Sequence, residues 1–163
     1  MKIAVIYHSV SGTTKKMAEA IVQGINSVEG VKGKAFSIDA PDEEYIKESR
    51  CVILGTPVYY ASMSGTIKTW FEKSVRQFGF PGKLAGAFAT ADYVHGGGEI
   101  AIQSLLSHML VAGMIAYSGG GAYGVPVIHL GPVAIKQDVE NYTATFTLYG
   151  KRMATKTLEL FGK

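Results

Sequence analysis

The chain has 163 residues, 47% of them hydrophobic and 18% charged, which excludes a disordered or fibrous protein and matches one globular domain in length. Its net charge of +3 comes from scattered basic residues such as Lys15, Lys34, Lys73 and Lys156, with no basic stripe interleaved with aromatics to suggest nucleic acid as a partner. A lone cysteine, Cys51, excludes an intrachain disulfide, and the lack of an apolar run of about 18 residues or of a leader-like start predicts a soluble, cytoplasmic protein with no membrane partner.

The first stretch, Lys2 to Thr14, reads KIAVIYHSVSGTT. A short apolar strand, Ile3 to Tyr7, stops abruptly in hydroxyls and a glycine: Ser9, Ser11, Gly12, Thr13 and Thr14. Hydroxyls, loop N–H groups and the positive end of the following helix all suit a phosphate. No lysine stands in the loop, so such an anion is held by dipoles and neutral donors. Ser and Thr are also preferred helix N-caps, and the stretch reads equally as a capped turn without a ligand.

Met17, Ala18, Ile21, Val22, Ile25 and Val28 recur at helical spacing and predict a first helix ending near Gly30. Lys34 to Ile38 reads as a second strand, and the turn from Asp39 to Asp42 opens a short helix through Lys47. Cys51 to Gly55 is continuously apolar, as in a central parallel strand covered on both faces, with Cys51 a buried structural thiol. The run breaks at Thr56-Pro57. Ile67, Trp70, Phe71, Val75 and Phe78 mark a third helix, with Trp70 in its apolar face as a core residue rather than a cofactor contact.

After a glycine-rich connection, Leu84 to Thr90 forms a fourth strand of small residues that let helices pack close. A second glycine-rich loop runs from Ala91 to Glu99. Ile102, Leu105, Leu106, Met109 and Leu110 form a fourth helix closed by Gly113, and Met114 to Tyr117 a fifth strand. Gly119 to Lys136 reads as an extended loop. Val139, Tyr142, Phe146, Tyr149 and Met153 define a last helix reaching Phe161, with Gly150 weakening its middle.

Five strands alternating with helices predict one α/β domain over residues 1–163, a parallel sheet with helices on both faces. Ligands of such sheets sit beyond the carboxyl ends of the strands. Three loops converge there. The first offers Ser9, Ser11, Gly12, Thr13 and Thr14 to a phosphate. The second offers Pro57, Val58 and the rings of Tyr59 and Tyr60. The third offers Thr90, Ala91, Asp92, Tyr93 and His95, with Gly96 and Gly97 allowing close approach. A planar heterocycle bearing a phosphate matches all three, and flavin mononucleotide (FMN) is the economical choice. Plainer roles exist for each: Tyr59 and Tyr60 at an edge or interface, His95 solvated in its loop, Asp92 capping a turn.

Ser9-Val10-Ser11-Gly12-Thr13-Thr14 resembles the phosphate-binding loop of flavodoxins. Gly55 to Gly65 (GTPVYYASMSG), Gly82-Lys83-Leu84-Ala85, Gly96-Gly97-Gly98-Glu99 and Gly113-Met114 resemble the tryptophan-repressor-binding-protein family, the WrbA-type NAD(P)H:quinone oxidoreductases. The resemblance implies a flavodoxin-like three-layer α/β/α sandwich with a five-stranded parallel sheet in the order 2-1-3-4-5. It also implies bound FMN and two-electron transfer from NAD(P)H to a quinone in a homo-oligomer, a dimer or tetramer. The chain departs from the family pattern at Ala112 and Tyr59, where the resemblance implies a histidine and an arginine.

These readings make the protein an FMN-dependent oxidoreductase passing electrons from NAD(P)H to a quinone or similar small acceptor. His95 and Tyr93 are the candidates for protonating that acceptor, since histidine titrates near neutrality. The alternatives are a flavodoxin-type electron carrier and a non-catalytic FMN-binding scaffold. Carriers of that type are acidic, and a net charge of +3 argues against the first.

Overall fold

The computed structural model describes residues 1–162. In chain order the elements are β1 (Lys2–Tyr7), α1 (Thr13–Asn26), β2 (Lys32–Ser37), α2 (Glu43–Glu48), β3 (Cys51–Tyr59), β4 (Ser62–Met63), α3 (Gly65–Ser74), β5 (Leu84–Ala91), α4 (Gly98–Val111), β6 (Ile115–Ala116), β7 (Val133–Ile135) and α5 (Val139–Phe161). Strands β2, β1, β3, β5 and β6 lie side by side in that order, all parallel. With the two-residue β4 set aside, this is the order 2-1-3-4-5, in a three-layer α/β/α sandwich.

The apolar runs of β1 and β3 send alternate side chains to opposite layers. On one face Ile6, Val52 and Leu54 pack with Tyr45 and Ile46 of α2, Phe71 of α3 and Leu105 of α4. On the other, Ile3, Val5 and Ile53 pack with Ile21 and Ile25 of α1 and with Phe146 and Met153 of α5. Cys51 is fully buried there, and burial pushes its thiol up to about 12, so it packs rather than reacts. Trp70 is half-buried and stacks on Phe78 with ring centroids 5.6 Å apart.

Gly150 has a packing reason that helical propensity alone hides. A Cβ there would lie 2.1 Å from the carbonyl oxygen of Ile21, and one at Gly24 would lie 1.8 Å from that of Thr147. Helices α1 and α5 therefore cross backbone against backbone. The close contact offsets the roughly 0.5–1 kcal/mol that a helical glycine costs.

The fifth strand is split. β6 pairs with Leu84 and Ala85, whereas β7 pairs with Ala89 to Ala91, and the chain between them makes an excursion. The segment expected to be wholly loop thus ends in a strand. Opposite the gap, the Ala87 N–H donates instead to the Tyr149 hydroxyl at 3.1 Å. Gly86 makes room, since a Cβ there would meet that hydroxyl at 2.4 Å. The buried Arg152 guanidinium anchors the excursion by donating to the carbonyls of Gly120, Tyr123, Gly124 and Pro126.

Helix α3 stops at Ser74, short of the expected Phe78, which is buried in the connection that follows. Helix α4 closes as expected: Gly113, at φ 77°, donates to Leu110 O, and the next N–H, from Met114, donates to Met109 O. This pairing satisfies two of the carbonyls left open at a helix end. Among the described residues no helix is long and apolar enough to cross a membrane.

Candidate functional site

Strand β3 does not break at Thr56-Pro57 but continues to Tyr59. In a parallel strand the backbone groups of alternate residues face the same neighbour. The carbonyl of Gly55 accepts from the His8 N–H at 3.1 Å, so Pro57, two residues on, faces the same side beyond the end of β1. Its missing N–H costs no ladder bond. The strand then turns back on itself, pairing Val58 with Met63 and Tyr59 with Ser62. The two turn residues, Tyr60 and Ala61, sit at φ 50° and 58°, a left-handed conformation costing residues with a Cβ about 1–2 kcal/mol each.

The first loop enters α1 through Gly12 at φ 91°, and no side chain caps the helix. Ser9 Oγ accepts from the Gly12 N–H at 3.2 Å, and the Ser11 and Thr13 hydroxyls lie 3.3 Å apart. Two other helices are capped by side chains, Asp42 accepting from the Tyr45 N–H in α2 and Ser64 from the Ile67 N–H in α3, while α5 is not. The capped-turn reading of Ser9 to Thr14 therefore fails on geometry, because its hydroxyls leave the first-turn N–H groups of α1 open. Helix α4 likewise begins on a left-handed glycine, Gly97 at φ 90°, without a side-chain cap.

Between these loops lies a shallow, partly open cleft. Val10, Ser11, Thr13 and Thr14 line it from the first loop, Pro57, Val58 and Tyr59 from the end of β3, Thr90, Ala91 and Asp92 from the end of β5, and Lys136 from beyond β7. The Thr14 and Thr90 hydroxyls, 2.8 Å apart and both buried, tie the first loop to the third.

The other sequence candidates stand outside that lining. Ser9 and Gly12 shape the first loop. Tyr60 projects fully into solvent, and Tyr93 and His95 are exposed on the loop after β5. A Cβ at Gly97 would lie 2.7 Å from Ala61 Cα, and one at Gly96 would lie 2.9 Å from the Tyr93 carbonyl oxygen. The close approach these glycines permit is thus to the chain itself, and the third loop braces the β3–β4 turn.

Two residues escaped the sequence. Lys136 follows Ile135, which pairs with Ala91, so it comes to the cleft beside Asp92. Only the long-range pairing of β7 brings it there, and no local pattern marks it. His8 is buried at the foot of the first loop with Nδ1 2.9 Å from Ser64 Oγ, and burial holds its imidazole below the ordinary value. It links the first loop to the start of α3. Its position one residue beyond the strand, just before the hydroxyl cluster, was the available signal.

Open first-turn N–H groups, hydroxyls, one ammonium and the half-exposed face of Tyr59 fit a planar ring carrying a phosphate.

The sequence profile of the family described as NADPH-dependent FMN reductase matches residues 1–126. A flavodoxin of Clostridium saccharobutylicum is 39% identical, over 99% of this chain and 100% of that protein. An NAD(P)H dehydrogenase (quinone) of Trichlorobacter lovleyi is 25% identical, over 98% of each. The crystal structure of a flavodoxin, WrbA-like protein from Agrobacterium tumefaciens superimposes with a TM-score of 0.80 at 23% identity, covering 97% of this chain and 98% of that one, a likeness of fold.

Proposed function

Because the chain belongs to the NADPH-dependent FMN reductase family, we propose that it binds FMN in the cleft and passes electrons from NAD(P)H to a quinone or similar small acceptor. The observation that carries this reading is the first turn of α1, left without a side-chain cap beside the Ser11 and Thr13 hydroxyls that line the cleft. When bound, FMN supplies the electron transfer between nicotinamide and acceptor.

The chain's own residues bind, orient and protect. Ser11, Thr13, Thr14 and the first-turn N–H groups hold the phosphate. Tyr59 covers one face of the ring, while Thr90, Ala91 and Asp92 meet its polar edge. The Thr14–Thr90 contact ties the first loop to the third, and the apolar Pro57 and Val58 line the cleft beside them. Tyr93 and His95, exposed on the loop after β5, are the groups assigned to meet an acceptor arriving from solvent, with His95 donating the proton. Leu110, Val111 and Ile115, exposed close together in the chain, support assembly as a homo-oligomer.

The test is consumption of NADPH or NADH by the FMN-loaded protein with a benzoquinone as acceptor. Saturable turnover dependent on both substrates is expected, and its absence with both nucleotides overturns the oxidoreductase reading. The clostridial flavodoxin favours a second reading, an electron carrier. That reading predicts no such turnover but rapid reduction of the loaded protein by a flavodoxin reductase.

A further inference from the structure

We propose that Lys136 is the counter-charge for the phosphate of the bound flavin, and that it makes the cleft discriminate FMN from unphosphorylated riboflavin. This rests on the reading of the cleft as a flavin site. The phosphate loop itself holds no cation: Ser9 to Thr14 are all neutral. The cation comes from the far end of the chain. Strand β7 runs parallel to the last residues of β5, with Ile135 opposite Ala91, and the next residue, Lys136, lines the same cleft as Ser11, Thr13 and Thr14. The chain then enters α5, where Glu140 pairs with Lys16 in the first turn of α1. The turn carrying Lys136 is thereby held alongside the open helix start.

The charges around it leave Lys136 available. Lys16 and Lys15, the nearest cations in sequence to the phosphate loop, are engaged with Glu140 and Glu19, whereas no ion pair of Lys136 occurs among the described residues. Asp92 is the other charged residue of the lining, so without Lys136 the cleft that takes the dianionic phosphate would hold a carboxylate and no side-chain cation. A flexible ammonium on an exposed stem reaches such an anion as a point charge, without fixed bidentate geometry.

The test is the dissociation constant of FMN and of riboflavin, measured by flavin fluorescence quenching, for the wild type, Lys136→Gln and Lys136→Arg. A charge-assisted contact accounts for roughly tenfold or more in affinity. Lys136→Gln is expected to weaken FMN about tenfold, leave riboflavin within about twofold, and flatten the salt dependence of FMN binding; Lys136→Arg is expected to restore the wild-type values. Unchanged FMN affinity in Lys136→Gln overturns the inference. Equal weakening of both flavins also overturns it, since the side chain then packs against the ring system rather than the phosphate. A wild-type protein that binds neither flavin overturns the site reading itself, and so fails in a distinguishable way.

Discussion

Ser11 lies where the account puts the phosphate, and its replacement by glutamate tests that placement. The side chain is exposed, its hydroxyl meets only that of Thr13 at 3.3 Å, and it caps no helix, so Ser11→Glu costs the fold little. It places a carboxylate at about 5 Å from a phosphate carrying about 1.5–2 negative charges. In water the repulsion at that distance is about 0.8 kcal/mol per pair of unit charges, or about 1.2–1.7 kcal/mol in all, and about four times more at an effective dielectric constant of about 20. Since about 1.4 kcal/mol is tenfold in affinity, FMN binding should weaken at least about tenfold. Riboflavin binding should be nearly unaffected. Fluorescence quenching with both flavins, alongside a thermal melt to confirm folding, reads this directly. A folded Ser11→Glu protein that binds FMN as tightly as the wild type refutes the phosphate placement.

Three further outcomes follow from the structure. Ala61→Gly relieves a left-handed residue at φ 58° and should stabilise the chain by about 1 kcal/mol, raising Tm by about 2–4 °C; an unchanged or lower Tm by calorimetry contradicts the strained turn. Tyr149→Phe removes the acceptor of the buried Ala87 N–H and should destabilise by about 1–3 kcal/mol in urea unfolding, whereas a neutral effect means another group satisfies that donor. His8, held below its ordinary value of 6.5 by burial, with Asp39 pulling the other way, takes up a proton more readily when unfolded than when folded. Stability should therefore fall as pH drops through 6.5 towards the lower folded value. His8→Gln should flatten that limb between about pH 6.5 and 5, above the range where ordinary carboxylates titrate, and an unchanged slope contradicts the assignment.

The main strands and helices were legible because their signals are local. The apolar runs of β1 and β3 and the helical spacing from Met17 to Ile25 reflect burial that the chain must arrange whatever surrounds it. The hydroxyl cluster after Tyr7 was visible for the same reason, although Ser and Thr also serve as helix N-caps and only the folded geometry separates the two readings.

What stayed hidden depends on partners distant in sequence. Pro57 reads as a strand breaker unless one knows that β1 ends opposite Gly55. The turn at Tyr60 and Ala61 carries no Asn-Gly or Asp-Gly pair, the usual sign of a two-residue hairpin. β7 is three residues long and makes sense only beside Ala89 to Ala91, so Lys136 could not be placed in the cleft beforehand. Gly150 looks like a weakness until the Ile21 carbonyl is seen against it. The glycines after Asp92 suggested room for a ligand, and the structure uses that room to bring the β5–α4 loop onto Ala61.

The central claim is that this cleft, open at the start of α1, holds one phosphorylated flavin per chain. Isothermal titration of FMN into flavin-free protein tests it most directly: saturation at one FMN per chain, with riboflavin markedly weaker, is the predicted result. Heat signals indistinguishable from dilution, or equal affinity for the two flavins, would contradict it.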